Sequence, residues 1–151
     1  MTIETKLDIL IVDDDEGHVE LVRRNLRRLG ITNQIIALGS GQAALDYVFR
    51  GRDHAPHRNG HLLILLDINM PGAFDGVEVL RRIKGDPGKR KIPVMMLTTT
   101  DNPSEVEECY RLGCNVYMTK PVDPGSFVDA VTRLGLFISV VSLPADTELA
   151  S

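Results

Sequence analysis

The sequence predicts an α/β fold in which five parallel strands and five helices form a doubly wound sheet. Short apolar runs rich in Ile, Val and Leu alternate with longer segments of helical period, which is the pattern of successive βα units. The runs Leu7–Val12 and Leu62–Leu66 are almost continuously apolar, as is typical of strands covered on both faces. The chain has 151 residues, the length of one such domain.

The first βα unit combines the strand Leu7–Val12 with a helix near residues 15–29. Apolar residues spaced three and four apart define the buried face of this helix: Val19, Val22, Leu26 and Leu29. Gly30 ends the helix, because glycine tolerates the left-handed conformation that terminates helices.

The second unit begins with a short strand at residues 34–38. A helix follows, which Ser40 caps and Gly51 ends. A polar loop at residues 52–60 then leads to the third strand, Leu62–Leu66. This strand is the most hydrophobic run of the chain, which predicts a central position in the sheet.

The rest of the chain adds three helices and two strands. The third helix is marked by Val77, Leu80 and Ile83. A fourth strand is predicted from Ile92 to Leu97, and a fifth at Val116–Thr119. Asn102 followed by Pro103 predicts the start of the fourth helix, which ends near Gly113, and Asp123 repeats this capping signal before the last helix.

Charge and composition argue against several classes of partner. Seventeen Lys and Arg against 21 Asp and Glu give a formal net charge of −4, which disfavours direct binding to nucleic acid. No signal-peptide pattern is present and no segment approaches the ~20 apolar residues of a membrane helix, so we expect a cytoplasmic protein without membrane contact. Cys109 and Cys114 are expected to be reduced, because a chain of this size needs no disulfide.

Polar side chains follow four of the predicted strands. Asp13 and Asp14 follow the first strand, Asp67 the third, Thr98 the fourth and Lys120 the fifth. Ligands of doubly wound sheets bind beyond the carboxyl ends of the strands, so we expect these side chains to converge. Carboxylates crowded together repel one another unless a cation lies between them, and hard oxygen ligands suit Mg²⁺.

This set of groups is suited to phosphoryl transfer. A divalent metal, the Lys120 ammonium and the Thr98 hydroxyl can bind the oxygens of a phosphoryl group. Asp67 is the predicted nucleophile, because it stands alone at the end of the central strand. The adjacent Asp13 and Asp14 are better suited to support the metal. Singly, acids at strand ends often just cap the next helix, and the ordered set is what indicates function.

These motifs resemble the receiver domain of two-component response regulators over residues 7–135. ILIVDDD matches the acidic pair of the family, LLILLDINMPG its phosphoacceptor aspartate, PVMMLTTT its switch hydroxyl and VYMTKP its lysine. The resemblance implies a flavodoxin-like fold with strand order 2-1-3-4-5. It also implies transfer of a phosphoryl group from a histidine kinase to Asp67.

The resemblance assigns roles to individual residues. It implies Mg²⁺ held by Asp14, Asp67 and the backbone carbonyl of Asn69, with Asp13 in support. It implies that Thr98 and Lys120 hold phosphoryl oxygens.

The switch of the family implies that Thr98 moves toward the phosphoryl group while Tyr117 turns inward, which alters the surface around the last two helices and the fifth strand. An ordinary half-buried strand tyrosine is the alternative for Tyr117. Asn69 and Thr100 flank the attacking water in this family and tune the lifetime of the phosphorylated state.

The loop at 52–60 and an extended last helix resemble the single-domain regulators paired with bacterial phytochromes. This similarity implies a phytochrome as the histidine kinase, and we expect the signal to pass to a separate downstream protein. The extension and tail, residues 136–151, carry a second apolar face. Its residues Leu136, Phe137 and Val140 predict a homodimer through the last helix, and folding of the tail onto its own domain is the alternative.

Two other classes of function stay open at this point. Phosphatases of the haloacid dehalogenase type use an aspartate in a D-x-D pattern after the first strand, which Asp13 and Asp15 satisfy, but that interpretation leaves Asp67 without a role. A phosphate-independent interaction module is the other. His54, His57 and His61 lack the spacing of a zinc site. His18 lies on the side of the first helix that faces the site, and a plain surface position is its alternative.

Overall fold

The computed structural model describes residues 7–28, 30, 32–50, 61–99, 102–119 and 129. The strands are β1 (Leu7–Val12), β2 (Ile35–Leu38), β3 (His61–Asp67), β4 (Val94–Thr98) and β5 (Val116–Thr119). The helices are α1 (Glu16–Arg28), α2 (Gly41–Arg50), α3 (Gly76–Lys84) and α4 (Pro103–Leu112). The predicted fifth helix, apart from Asp129, lies outside the described residues.

The five strands are parallel and form one sheet in the order β2-β1-β3-β4-β5, which confirms the predicted fold. Val12, at the end of β1, pairs with Leu38 of β2 on one side and with Leu66 of β3 on the other. Asp67 in turn pairs with Leu97 of β4. The strand ends are therefore level, so the polar residues that follow them emerge at one edge of the sheet.

Apolar side chains cover the sheet on both faces. On one face α1 packs its buried stripe of Val19, Val22 and Leu26 against alternate residues of β1, β3 and β4. On the other face α2, α3 and α4 pack against the remaining residues of those strands. Every residue of β3 from 62 to 66 is at most 5% exposed, which explains why this run is continuously apolar and confirms its central position.

The helices begin and end at residues suited to capping. The Ser40 hydroxyl accepts a hydrogen bond from the N–H of Ala43 at 3.1 Å, at the start of α2. The Asn102 side chain accepts from the N–H of Ser104 at 2.9 Å, and Gly113 ends α4 with a φ of 109°. No helix in the described part of the chain is long and apolar enough to cross a membrane.

The predicted start of the fourth strand is wrong. The fourth strand was expected to begin at Ile92, but β4 begins at Val94. The N–H of Ile92 donates to the carbonyl of Lys89 at 3.0 Å, so this residue closes a turn before the strand starts. Apolar character alone could not show whether Ile92 belongs to the turn or to the strand, because Ile92 is partly buried against the same core as the strand.

Candidate functional site

Three carboxylates meet at the carboxyl edge of the sheet. Asp13, Asp14 and Asp67 each offer an oxygen, and these oxygens all lie within 4.8 Å of one another. Asp67 and Asp13 are only 3% and 4% exposed, whereas Asp14 is exposed. Because two of the three are removed from water, their mutual repulsion is weakly screened, and the cluster is chemically suited to hold a cation.

The Asp13 carboxylate is held through both of its oxygens. Its Oδ1 accepts from the backbone N–H of Asp15 at 2.9 Å, and its Oδ2 lies 2.6 Å from Nδ1 of His18. The backbone N–H of Asp13 donates to the carbonyl of Leu38 at 3.0 Å, which fixes the chain where it leaves β1. A buried carboxylate with this many donors has a defined orientation.

Asp15 caps α1. Its Oδ1 accepts from the N–H of His18 at 3.2 Å, the pattern of an N-cap residue three positions before its donor. Asp15 is therefore the residue after β1 that caps the helix. Asp14 contributes its carboxylate to the acidic cluster instead.

Asn69 links the loop after β3 to the end of β4. Its side-chain nitrogen donates to the hydroxyl of Thr98 at 3.2 Å and to the hydroxyl of Thr99 at 2.9 Å. Its backbone N–H points to Oδ1 of Asp67 at 3.4 Å. Thr98 is fully buried. The Thr98 hydroxyl and the Asp67 carboxylate thus share one neighbour, and the two strand ends are tied together.

Gly76, the first residue of α3, packs directly on the backbone of Asp67. A Cβ at this position would lie 2.3 Å from the Asp67 carbonyl oxygen and 2.6 Å from Cα of Ile68. The N–H of Gly76 also donates to the carbonyl of Ile68 at 2.9 Å. Only glycine therefore allows α3 to start this close to the residue that ends β3.

Tyr117 lies on β5 next to Tyr110 of α4. Their ring centroids are 6.4 Å apart and the rings are tilted by 38°, which is a favourable aromatic arrangement. Tyr117 is half-buried and packs against the core, whereas Tyr110 is 49% exposed. The ring of Tyr117 is therefore positioned between the core and the surface of α4.

The structure brings Asp13, Asp14, Asp67 and Thr98 to one edge of the sheet, as the convergence of strand ends predicted, and Asn69 contacts both Asp67 and Thr98. Other predicted site residues lie outside the described part of the chain: Lys120, Thr100, Leu136, Phe137 and Val140.

Sequence reasoning missed three features of this site. They are the contact of His18 with Asp13, the second hydroxyl partner of Asn69 at Thr99, and the close packing of Gly76 on Asp67. His18 was predicted to lie on the side of the first helix that faces the site, but its contact with Asp13 was not predicted. The sequence carried no signal for Thr99 or Gly76.

Comparison with known proteins places the chain in a family. The profile of the response regulator receiver domain matches residues 9–132. The response regulator Rcp1 of Synechocystis sp. is 36% identical over 140 residues, which cover 91% of this chain and 92% of Rcp1.

Solved structures agree in fold. A response regulator receiver domain from Rhodospirillum rubrum has a TM-score of 0.72 at 44% identity and covers 88% of this chain and 94% of its own. The bacteriophytochrome response regulator RtBRR has a TM-score of 0.73 at 38% identity, with coverage of 87% and 79%. The Mn²⁺-bound form of Rcp1 has a TM-score of 0.67 at 35% identity, with coverage of 82% and 88%.

The profile match over most of the chain, the agreement in fold with a solved receiver domain and the identity to Rcp1 support the same assignment. They also leave the phosphatase interpretation without support. The chain belongs to the response regulator receiver family and is homologous to phytochrome response regulators.

Proposed function

We propose that the receiver domain, residues 7–135, accepts a phosphoryl group on Asp67 from the phosphohistidine of a histidine kinase. The position of Asp67 is the observation that carries this proposal. It ends the central strand, it is only 3% exposed, and its carboxylate lies within 4.8 Å of two other acids. A carboxylate so placed is shielded from bulk water but adjacent to groups that can bind a charged substrate.

The proposed step forms one bond and breaks one. An oxygen of the Asp67 carboxylate attacks phosphorus, and the bond between phosphorus and the kinase histidine breaks. The departing imidazole keeps the electron pair of that bond and takes up a proton. The products are an acyl phosphate on Asp67 and a free histidine. The remaining chemistry of the domain is hydrolysis of that acyl phosphate by water.

We assign Mg²⁺ to the acidic cluster. Asp14, Asp67 and the backbone carbonyl of Asn69 are the proposed ligands, with Asp13 in support. These hard oxygen donors fit the preference of Mg²⁺. Three carboxylates this close together repel one another, and a bound divalent cation relieves that repulsion. When bound, the ion neutralises the cluster and stabilises negative charge on the phosphoryl oxygens. The relative Rcp1 has been crystallised with Mn²⁺, an ion of similar ligand preference.

Thr98 and Lys120 are the proposed partners of the phosphoryl oxygens. A phosphoryl group adds roughly −2 charge at Asp67, and a hydroxyl or an ammonium gains a charge-assisted hydrogen bond by moving toward it. Thr98 then leaves the Asn69 amide that it contacts in the structure. Tyr117 turns inward as Thr98 moves, and the surface of α4 around Tyr110 changes with it.

Asn69 and Thr100 are proposed to set the lifetime of the acyl phosphate, because they occupy the two positions that flank the attacking water in this family. The contacts of Asn69 with Thr98 and Thr99 support a role for its side chain in the geometry around that path. The backbone carbonyl of Asn69 is also a proposed Mg²⁺ ligand, so Asn69 affects both metal binding and hydrolysis of the acyl phosphate.

The proposed kinase is a phytochrome, since the chain is similar over most of its length to the bacteriophytochrome response regulator RtBRR. The output goes to a separate downstream protein in the cytoplasm, without nucleic acid or membrane contact. The last helix and tail, residues 136–151, are proposed to form a homodimer through Leu136, Phe137 and Val140. Sedimentation at micromolar concentration, with and without phosphorylation, tests the dimer, and a monomer under both conditions excludes it.

Intact mass after incubation with Mg²⁺ and a small acyl-phosphate donor tests the proposal. The wild-type protein should gain the mass of one phosphoryl group. Asp67→Asn and the wild type in EDTA should gain none. Asp46→Asn is the matched control, because it removes a half-exposed carboxylate on α2 whose partners among the described residues are Gln42 and Arg50, and this variant should be phosphorylated normally.

An adduct that persists in Asp67→Asn contradicts the assignment of the acceptor. The absence of an adduct in the wild type favours the phosphate-independent interaction module.

A further inference from the structure

We propose that His18 is a positioning residue for the metal site, which it serves by fixing the Asp13 carboxylate. This inference rests on the proposed metal site. The Nδ1 atom of His18 lies 2.6 Å from Oδ2 of Asp13, and the two side chains are 12% and 1% exposed. The contact is thus short and almost removed from water, which makes it stronger than the same contact at the surface.

With Asp13 ionised, the chemistry of the carboxylate determines which nitrogen of His18 donates. An ionised carboxylate only accepts hydrogen bonds, so Nδ1 of His18 carries the hydrogen in this contact. This holds for the neutral ring as well as for the protonated ring, and the contact therefore needs no change of charge. The backbone of His18 is also fixed, since its N–H donates to the Asp15 carboxylate that caps α1.

His18 and the N–H of Asp15 together anchor both oxygens of Asp13. With both oxygens held, rotation of the carboxylate is restricted, while each oxygen keeps a second lone pair for the acidic cluster. Loss of the His18 donor allows the buried carboxylate to turn toward other donors. A ligand set that must be reoriented binds its metal more weakly, and loss of such an outer contact typically costs about 10–100-fold in metal affinity.

The alternative is that His18 only helps to start α1. Two substitutions distinguish positioning of Asp13 from a role in starting α1, because they place the side-chain amide nitrogen at different positions. His18→Asn places an amide nitrogen where Nδ1 lies, whereas His18→Gln places it near the position of Nε2. His18→Leu retains bulk and removes both donors. A role in starting the helix does not distinguish the nitrogen positions.

The experiment measures binding of Mn²⁺ to the unphosphorylated full chain by paramagnetic resonance of the free ion, with Mg²⁺ as competitor. We expect His18→Leu and His18→Gln to weaken binding about 10-fold or more, and His18→Asn to stay within about threefold of the wild type. Thermal unfolding in EDTA reports whether each variant is folded. Long-range ¹H–¹⁵N spectra of the wild type should show the hydrogen of His18 on Nδ1.

Wild-type affinity in a folded His18→Leu variant overturns the role of His18 and leaves the metal site intact. Equal losses in all three variants, or a His18 ring with hydrogen on Nε2 alone, also overturn it. Failure of the wild type to bind Mn²⁺ overturns the proposed metal site itself, and the inference with it.

Discussion

The side-chain amide of Asn69 donates a hydrogen bond to the Thr98 hydroxyl across 3.2 Å, and so ties the end of β4 to the loop that follows β3. The same nitrogen reaches the Thr99 hydroxyl at 2.9 Å. Asn69, the hydrogen-bond partner of Thr98, also contacts Asp67. We expect motion of Thr98 toward a group on Asp67 to lengthen or break this contact.

Asn69→Ala should therefore favour the activated arrangement. Removing the amide eliminates a hydrogen bond that stabilises the resting position of Thr98, worth about 1 kcal/mol, while the backbone carbonyl at residue 69 is retained. We expect beryllofluoride, a phosphoryl mimic, to bind roughly fivefold more tightly in the presence of Mg²⁺. Thr99→Val, which removes only the second hydroxyl, is the control and should have a smaller effect. Weaker binding of beryllofluoride by Asn69→Ala contradicts the proposed role of the hydrogen bond between Asn69 and Thr98.

Gly76→Ala should disturb both the fold and the site. The added methyl group meets the carbonyl oxygen of Asp67 at 2.3 Å, so the backbone of β3 or the start of α3 must move. Overpacking of this kind costs about 1–3 kcal/mol. Urea unfolding should show that loss, and phosphorylation from a small donor should slow.

Gly39→Ala is the matched control for this substitution. Gly39 also follows a strand at the same edge, but apart from its two chain neighbours no atom of the described residues lies within 4 Å of the added methyl group. Wild-type stability in Gly76→Ala would argue against the close packing.

Tyr110→Leu should make Tyr117 easier to turn inward. The ring of Tyr110 lies 6.4 Å from that of Tyr117, and an aromatic pair contributes about 0.5–1.5 kcal/mol beyond its buried area. Its loss removes an interaction that stabilises the present position of Tyr117. We expect beryllofluoride to bind about threefold to tenfold more tightly, measured by near-ultraviolet circular dichroism of the tyrosines. Tyr110→Phe preserves the ring pair and should behave as the wild type does, and a matching shift in both variants would refute this explanation.

Both cysteines are free and buried, and their thiols should resist modification in the folded protein. Burial raises the pKa of Cys109 to about 11 and that of Cys114 to about 12, from an ordinary value of 9.0, because the thiolate charge is poorly solvated there. At pH 8 both groups are neutral thiols. Modification by a thiol reagent at that pH should proceed only as fast as the protein opens.

The same shifts predict how stability changes in alkali. Because the folded-state pKa of each thiol lies above the unfolded value, the stability it provides is complete below about pH 9 and is lost as the pH rises toward 11 and 12. The urea midpoint should fall over this range. In a Cys109→Ala, Cys114→Ala double variant the fall should be smaller. An identical alkaline fall in both proteins would show that other groups cause it.

Local patterns were sufficient to predict the alternation of strands and helices and the acids at the strand ends. Continuous apolar runs identify buried strands, because a strand covered on both faces has no polar side, and spacings of three and four identify the stripe of α1. Once the sheet is parallel, its strand ends share an edge, and Asp13, Asp14 and Asp67 must then approach one another. The family resemblance supplied the strand order.

Contacts between distant residues depended on the folded chain. The Asn69 amide reaches Thr98, which is 29 positions away, because the register of β3 and β4 brings the two loops level. The ring of His18 meets Asp13 because α1 turns back over the end of β1, and the absence of a side chain at Gly76 matters only because α3 starts against the backbone of Asp67. Periodicity specifies which face of an element is buried, but the rotamers and register that bring polar atoms within hydrogen-bond distance are set by the packing of the whole domain.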